Sequence, residues 1–238
     1  MESKYQFNNI ATEWLKSKEI QLKPSSISKY SNILNWYLLP TFSDLDIRKI
    51  TRNDVRSVSQ MLLVNDGTRS QGLSTKTVAG IVSVLKNIFD FALMKKELDV
   101  VVINNISIKQ TQQPLRILCM KEQNTINKYL FNNLNPCYLG ILLSLYTGIR
   151  IGEVCALKWK DICIAEQSLY IYQSMQRIQV AAKSSKKTMI IIQSPKSESS
   201  IRRIPIPTKL FDVLVPYKKQ DDAFLFELSA YLLVTSGK

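Results

Sequence analysis

Histidine is absent from all 238 residues of this chain. That removes the side chain proteins use most often to hold a metal, so no metal site is expected. Cysteine is scarce as well. Cys119, Cys137, Cys155 and Cys163 are the whole supply, and no two of them stand in a Cys-x-x-Cys pair. Two lie in segments of apolar periodicity, so the four read as reduced core thiols of a cytoplasmic protein. Only 7 glycines and 8 prolines occur, which predicts a helix-rich body with few tight turns. The opening residues Met1-Glu2-Ser3-Lys4-Tyr5-Gln6 put no apolar run behind a basic start, so no signal peptide is expected. No stretch approaches the roughly 18 apolar residues of a membrane span, and no membrane partner is expected.

Acidic residues are also in short supply. Nineteen Asp and Glu face 32 Lys and Arg, a formal net charge of +13. That excess implies a polyanionic partner, nucleic acid before anionic membrane, because no basic amphipathic surface helix stands out. The excess is spread along the chain: 15 basic against 10 acidic residues up to residue 110, and 17 against 9 after it. A two-lobed clamp on double-stranded DNA would look like this, since duplex charge is neutralised from both faces. What remains is globular: hydrophobic residues make up 45%, and the length suits one large or two small domains with real cores.

Taken in order, Phe7, Ile10, Ala11, Trp14 and Leu15 predict an amphipathic helix over about 7–19. Ile27, Tyr30, Ile33, Leu34 and Tyr37 predict a second, ending before Pro40. Thr51, with Asp54 three residues on, caps a third that runs through Leu63. Leu73-Ser74-Thr75-Lys76-Thr77 opens a fourth, with Val78, Ile81, Val82, Leu85, Ile88, Phe89 and Ala92 on one face. Residues 1–99 thus read as a four-helix bundle and 100–114 as a polar linker. In 115–238, helices lead into the segment around Arg150, and beyond Asp161 the period changes from 3.6 towards 2. Leu169, Ile171, Met175 and Ile178 read as one strand, Thr188–Ile192 as a second, and Ile201–Pro207 as a third, proline-limited edge strand.

The most informative stretch is Leu145-Tyr146-Thr147-Gly148-Ile149-Arg150-Ile151-Gly152-Glu153-Val154-Cys155-Ala156-Leu157-Lys158-Trp159-Lys160-Asp161-Ile162. An apolar helix ends at the Gly148 breaker, and a second begins with Arg150 just inside its start. There a cation opposes the positive helix pole, which suggests an anionic partner for it. Thr147, Gly148, Arg150, Glu153, Leu157, Trp159, Asp161 and Ile162 resemble the first box of the tyrosine recombinases, the phage-integrase family. The segments from Lys23 to Tyr30 and from Leu73 to Val78 are similar to helix starts in that family's N-terminal domain.

The resemblance implies a mainly α fold with a small β-sheet. Its parts would be an N-terminal four-helix SAM-like core-binding bundle and the N-terminal part of an α+β tyrosine-recombinase catalytic domain. It implies site-specific recombination through a 3′-phosphotyrosyl intermediate, with no cofactor, metal or small-molecule ligand, by a homo-tetramer on double-stranded DNA. Breaking a phosphodiester needs charge on the non-bridging oxygens, and the planar, always-charged fork of arginine suits that task. Arg150 is the candidate. Lys196, in Ser194-Pro195-Lys196-Ser197 ahead of Arg202-Arg203-Ile204-Pro205, matches the family's proton-delivering lysine; a solvated turn lysine is the plainer reading. Glu153 supports Arg150 by pairing or capping. Lys23, Ser26, Lys29, Lys76 and Thr77 are placed near phosphates, with solvated helix ends as the plainer reading. Arg202 and Arg203 alternate on a strand, so at most one faces the site and the other contacts backbone phosphate or solvent. Trp159 reads as core.

The sequence departs from the family pattern downstream. The family's His-x-x-Arg box and nucleophilic tyrosine have no counterpart among these residues, and Tyr217 and Tyr231 read as packing residues. On that ground the chain by itself is not expected to cleave DNA. The alternative is a non-catalytic DNA-binding remnant or accessory factor that occupies recombination sites.

Overall fold

The computed structural model describes residues 5–64, 72–96, 108–109, 114–179, 188–195 and 197–226. The chain forms two compact units, Met1–Pro114 and Leu115–Lys238. Most of the 100–114 stretch, the lysine-rich segment 183–187, Lys196 and Tyr231 lie outside the described residues.

In the first unit, α1 (Phe7–Glu19) buries Phe7, Ile10, Ala11 and Trp14, the face that its 3.6-residue spacing sets. The N-terminus of α2 (Pro24–Ile33) places Pro24 where no backbone donor is required. The sequence reading ended this helix before Pro40, and the structure corrects that. The rod continues through a π-helical turn, Leu34–Leu38, into α3 (Leu39–Phe42). The Leu39 N–H bonds back to the Leu34 carbonyl, so the register widens by one residue just ahead of the proline. Pro40 then falls in the first turn of α3, where its missing N–H leaves no gap.

A short turn, Ile47–Lys49, follows. Asp46 caps it by accepting from the Arg48 N–H at 3.0 Å. The side-chain bonds from Arg48 hold the Asp46 carboxyl down at about 2. Helix α4 (Arg52–Val64) starts at a reciprocal cap. The Thr51 N–H donates to Asp54 Oδ2 at 2.8 Å, and the Asp54 N–H donates to Thr51 Oγ1 at 3.3 Å. Helix α5 (Thr75–Lys96) is long and apolar enough to cross a membrane, which the sequence reading passed over. Its Val78, Ile81, Leu85, Ile88, Phe89 and Ala92 are instead buried in the bundle core with Phe7, Trp14, Leu38 and Phe42. Ser83, Lys86, Asn87 and Asp90 interrupt the apolar run on the opposite side.

The second unit opens with α6 (Met120–Asn132), whose Glu122 accepts from the Cys119 N–H at 2.9 Å. In α7 (Pro136–Thr147), Asn135 caps the start by accepting from the Tyr138 N–H, and Gly148 closes the end in the left-handed conformation (φ 68°). Only glycine takes that conformation without cost. Helix α8 (Ile151–Ala156) follows at once, then a 3-10 turn over Trp159–Asp161. Strands β1 (Ile162–Cys163), β2 (Ser168–Ile171) and β5 (Arg202–Pro205) form one antiparallel sheet in the order β1-β2-β5. β3 (Ser174–Gln179) and β4 (Thr188–Gln193) form a separate hairpin. The single strand expected over Leu169–Ile178 is therefore two. The break at Tyr172-Gln173 lets β2 join β5 while β3 passes under α8. A Cβ added to Gly152 would stand 2.6 Å from Ser174 Oγ and 3.0 Å from the Met175 carbonyl oxygen, so the helix and strand meet there nearly backbone to backbone.

Helix α9 (Thr208–Leu214) buries Leu210, Phe211 and Leu214 into a core with Leu139, Leu142, Leu143, Leu169, Ile171 and Phe226. Trp159 is buried in it. Its backbone N–H donates to the Ala223 carbonyl at 3.1 Å. The cysteines are only partly as expected. Cys155 is buried, Cys137 and Cys163 are half-buried, and Cys119 is exposed at the start of α6; all four are free.

Candidate functional site

The sequence builds this site by ending one helix and starting another within three residues. Gly148 turns the chain, Ile149 is buried as an anchor, and Arg150 becomes the N-cap residue of α8 in extended conformation (φ −74°, ψ 150°). Arg150 was expected one residue further in. At the cap its backbone is outside the helix, so its side chain is free to leave along the surface, and it is 74% exposed.

The anion near Arg150 is internal. Glu153 Oε2 accepts from the Arg150 backbone N–H at 2.9 Å, and Oε1 accepts from Arg150 Nη1 at 3.1 Å. The Glu153 side chain is only 4% exposed. Its carboxylate also satisfies the positive end of α8, where negative charge is favoured. The discomfort of a first-turn arginine is thus met inside the protein, and an external anion is not needed to explain it.

Glu153 serves a second arginine. Arg202 on β5 donates from Nη2 to Oε2 at 2.9 Å and from Nη1 to Oε1 at 3.3 Å, a two-pronged contact. Its Nη1 also donates to the Ser200 carbonyl at 2.9 Å. Burial pushes the Glu153 carboxyl up. The bonds from Arg202, from the Arg150 N–H and from the Arg150 guanidinium outweigh it, so the group lies below its ordinary range and is ionised at neutral pH. Two guanidiniums on one carboxylate leave the cluster at +1. That charge is presented by Arg150, whose remaining guanidinium donors have no protein partner among the described residues.

Arg203 goes the other way. It pairs with Glu166 at 2.7 Å, both side chains 61% exposed, and lies over the Tyr170 ring. The cue that separates the two arginines is the β2–β5 register. Arg202 stands opposite buried Ile171, and Arg203 opposite exposed Tyr170. Sequence reading had the alternation but not the register, and so missed the Arg202–Glu153 bond. Lys196 lies outside the described residues. Just after it, the Ser197 hydroxyl lies 2.9 Å from that of Ser199 and 3.1 Å from that of Ser200.

The remaining candidates belong to the first unit. Lys23 is the N-cap residue of α2 and Ser26 lies in its first turn, with the Ser26 N–H on the Lys23 carbonyl; Lys29 is exposed one turn on. Lys76 and Thr77 are exposed in the first turn of α5, where the Thr77 N–H donates to Ser74 Oγ at 3.2 Å. Both groups stand at starts of helices of ten residues or more, where backbone N–H groups and the helix dipole favour anions.

Comparison with known proteins agrees across both units. Residues 6–63 match the sequence profile of the phage integrase N-terminal SAM-like domain. The ICEBs1 integrase of Bacillus subtilis (strain 168) is 27% identical over 227 residues, which cover 93% of this chain and 57% of the relative. A XerC-like tyrosine recombinase of Caldanaerobacter subterraneus subsp. tengcongensis is 28% identical over 171 residues, covering 68% and 43%. Among solved structures, the Tn1549 transposon integrase in complex with circular intermediate DNA superposes with a TM-score of 0.67 at 15% identity, covering 92% of this chain and 68% of that one. A lambda integrase tetramer bound to a Holliday junction gives 0.56 at 17% identity, covering 78% and 49%. The fold, mainly helical with small antiparallel sheets and an N-terminal SAM-like domain, is that of the integrases. The similarities in both sequence and fold are to phage integrases and tyrosine recombinases. It spans about half the length of the curated relatives it matches.

Proposed function

We propose that this chain serves site-specific DNA recombination, and that Arg150 is its contact to the phosphate at the point of strand exchange. The observation that carries the reading is the +1 cluster itself. A buried carboxylate orients an arginine whose fork is otherwise open to solvent. A guanidinium so held can take two non-bridging phosphate oxygens and stabilise the charge that builds on them. Lys196 is assigned the leaving-group proton on its sequence context. A 3′-phosphotyrosyl intermediate also needs a tyrosine nucleophile, and no tyrosine among these residues is assigned that role, so the activity proposed for these residues alone is DNA binding and not cleavage. Lys23, Ser26, Lys29, Lys76 and Thr77 supply duplex contacts from the first unit. Of the two arginines that the sequence reading gave to DNA in the second unit, Arg203 keeps that assignment, while Arg202 is engaged by Glu153 and the Ser200 carbonyl. The relatives and structural neighbours support double-stranded DNA as the partner, and a homo-tetramer on that DNA is the assembly proposed.

The test is duplex binding as a function of salt. A chain that neutralises several phosphates loses affinity steeply, with a log–log slope of about −0.9 for each phosphate contacted. Arg150→Ala is expected to make that slope shallower by about one contact. A wild-type slope near zero overturns the reading.

A further inference from the structure

The Glu153 carboxylate receives four donors from two elements: the N–H and Nη1 of Arg150 at the start of α8, and Nη1 and Nη2 of Arg202 on β5. The two arginines use it differently. Arg150 gives one side-chain bond and is 74% exposed. Arg202 gives a fork, adds a bond to the Ser200 carbonyl, and is 30% exposed. We infer that Arg202 is a positioning residue, which acts through Glu153 to fix the direction in which Arg150 presents its guanidinium. This rests on the reading of Arg150 as the phosphate contact.

A single 3.1 Å bond to a long, flexible side chain defines a direction only if the acceptor is itself immobile. Helix α8 is a weak anchor, because it is six residues long and Glu153 rides on its first turn. The sheet provides the second fix. Arg202 stands in register with Ile171, which is 1% exposed in the core, so the fork on Glu153 is rooted in a strand pair that packs into the core of this unit. The planar fork reaches both carboxylate oxygens at once, which stops the carboxylate from rotating. A lysine would hold the charge and not the angle. The sequence reading made Arg202 a DNA contact. In the fold, the two terminal nitrogens of Arg202 make three bonds to protein, and the open charge of the cluster stands on Arg150.

The experiment uses the full chain with Arg202→Ala and Arg202→Lys, the second keeping the charge and losing only the fork. The first readout needs no DNA: the ¹⁵N heteronuclear NOE of the Arg150 Nε–H, with the methyl shifts of Leu142 and Ile171 as the check on folding. Arg150 is expected to be ordered in the wild type and to lose order in both variants. Unchanged order in Arg202→Lys overturns the inference, because a role that is only structural or only electrostatic leaves it unmoved. The second readout is a double-mutant cycle on duplex affinity. Arg202→Ala should weaken binding about tenfold in the wild-type background and change it less than about twofold in Arg150→Ala. An equal loss in both backgrounds makes Arg202 a direct phosphate contact and overturns the inference. If the wild type shows no salt-dependent binding, the phosphate reading of Arg150 fails, and the order measurement still decides whether Arg202 positions it.

Discussion

A Cβ placed on Gly152 would lie 2.6 Å from the Ser174 hydroxyl oxygen, so this residue, just before Glu153 in the α8 first turn, has no room for a side chain. In an open helix, Gly→Ala stabilises by about 0.5–1 kcal/mol. Here the sign reverses. The Ser174 side chain can rotate away, but the Met175 carbonyl at 3.0 Å is backbone and must move with β3. Gly152→Ala is expected to destabilise the chain by roughly 1–3 kcal/mol in urea unfolding. Removing the hydroxyl as well, in Gly152→Ala/Ser174→Ala, should recover only part of that. A Gly152→Ala variant more stable than wild type would show that the contact relaxes freely.

Glu153 makes stability depend on pH in a defined direction. Its folded carboxyl lies below the unfolded value of about 4.3 because Arg202 and Arg150 hold the ionised form more strongly than burial disfavours it. Its contribution is therefore fully present above about pH 4.3 and is lost as pH falls through the lower folded value. Glu153→Gln should cost about 3 kcal/mol at pH 7, where two guanidiniums lose a buried anion. That difference should shrink steadily below about pH 4. A wild-type-minus-variant difference that is flat from pH 7 to pH 3, followed by near-UV circular dichroism, would separate the stability from this carboxylate.

How much of this could be read from the chain follows from sequence distance. Arg150 and Glu153 are three residues apart on one helical turn, so their partnership is visible as spacing, as is the Thr51–Asp54 cap. The Gly148 breaker is likewise local, because one left-handed residue does the work. Arg202 is 49 residues from Glu153. Their bond depends on which residue of β2 faces which residue of β5, and on the chain leaving the β2 line at Tyr172 so that β3 pairs elsewhere. Period-2 alternation runs across that break without a mark, which is why two strands read as one. Pro40 misled for the opposite reason. A strong local stop signal was absorbed by a π turn that no single residue announces.

The first unit offers a cleaner measure of its part in binding. Lys29 and Lys76 are both exposed, one in the second turn of α2 and the other in the first turn of α5. If each meets one phosphate, Lys29→Ala and Lys76→Ala should each make the salt slope of duplex binding shallower by about 0.9, and the double variant by about twice that. The losses should be the same on unrelated duplex sequences, because phosphate contacts carry no base information. A slope unchanged in both single variants would return these lysines to the solvated surface.

Arg202 and Arg203 are neighbours with opposite fates, and substituting each tests the register that separates them. Arg203 pairs with Glu166 where both are 61% exposed, so Arg203→Ala should cost at most about 1 kcal/mol. That small loss should vanish in 1 M salt, where charges so exposed are screened within about 3 Å. Arg202→Ala leaves a carboxylate that is 4% exposed with only the solvent-facing Arg150 as its cation. A stranded buried charge of that kind costs about 3 kcal/mol or more, and salt reaches it poorly. Urea unfolding of both variants at low and high salt therefore gives four numbers, of which only the Arg202→Ala pair should be large and similar. If Arg203→Ala were the more damaging change, β5 would have to be turned over relative to β2, and the cluster on Glu153 would have to be built from the other arginine.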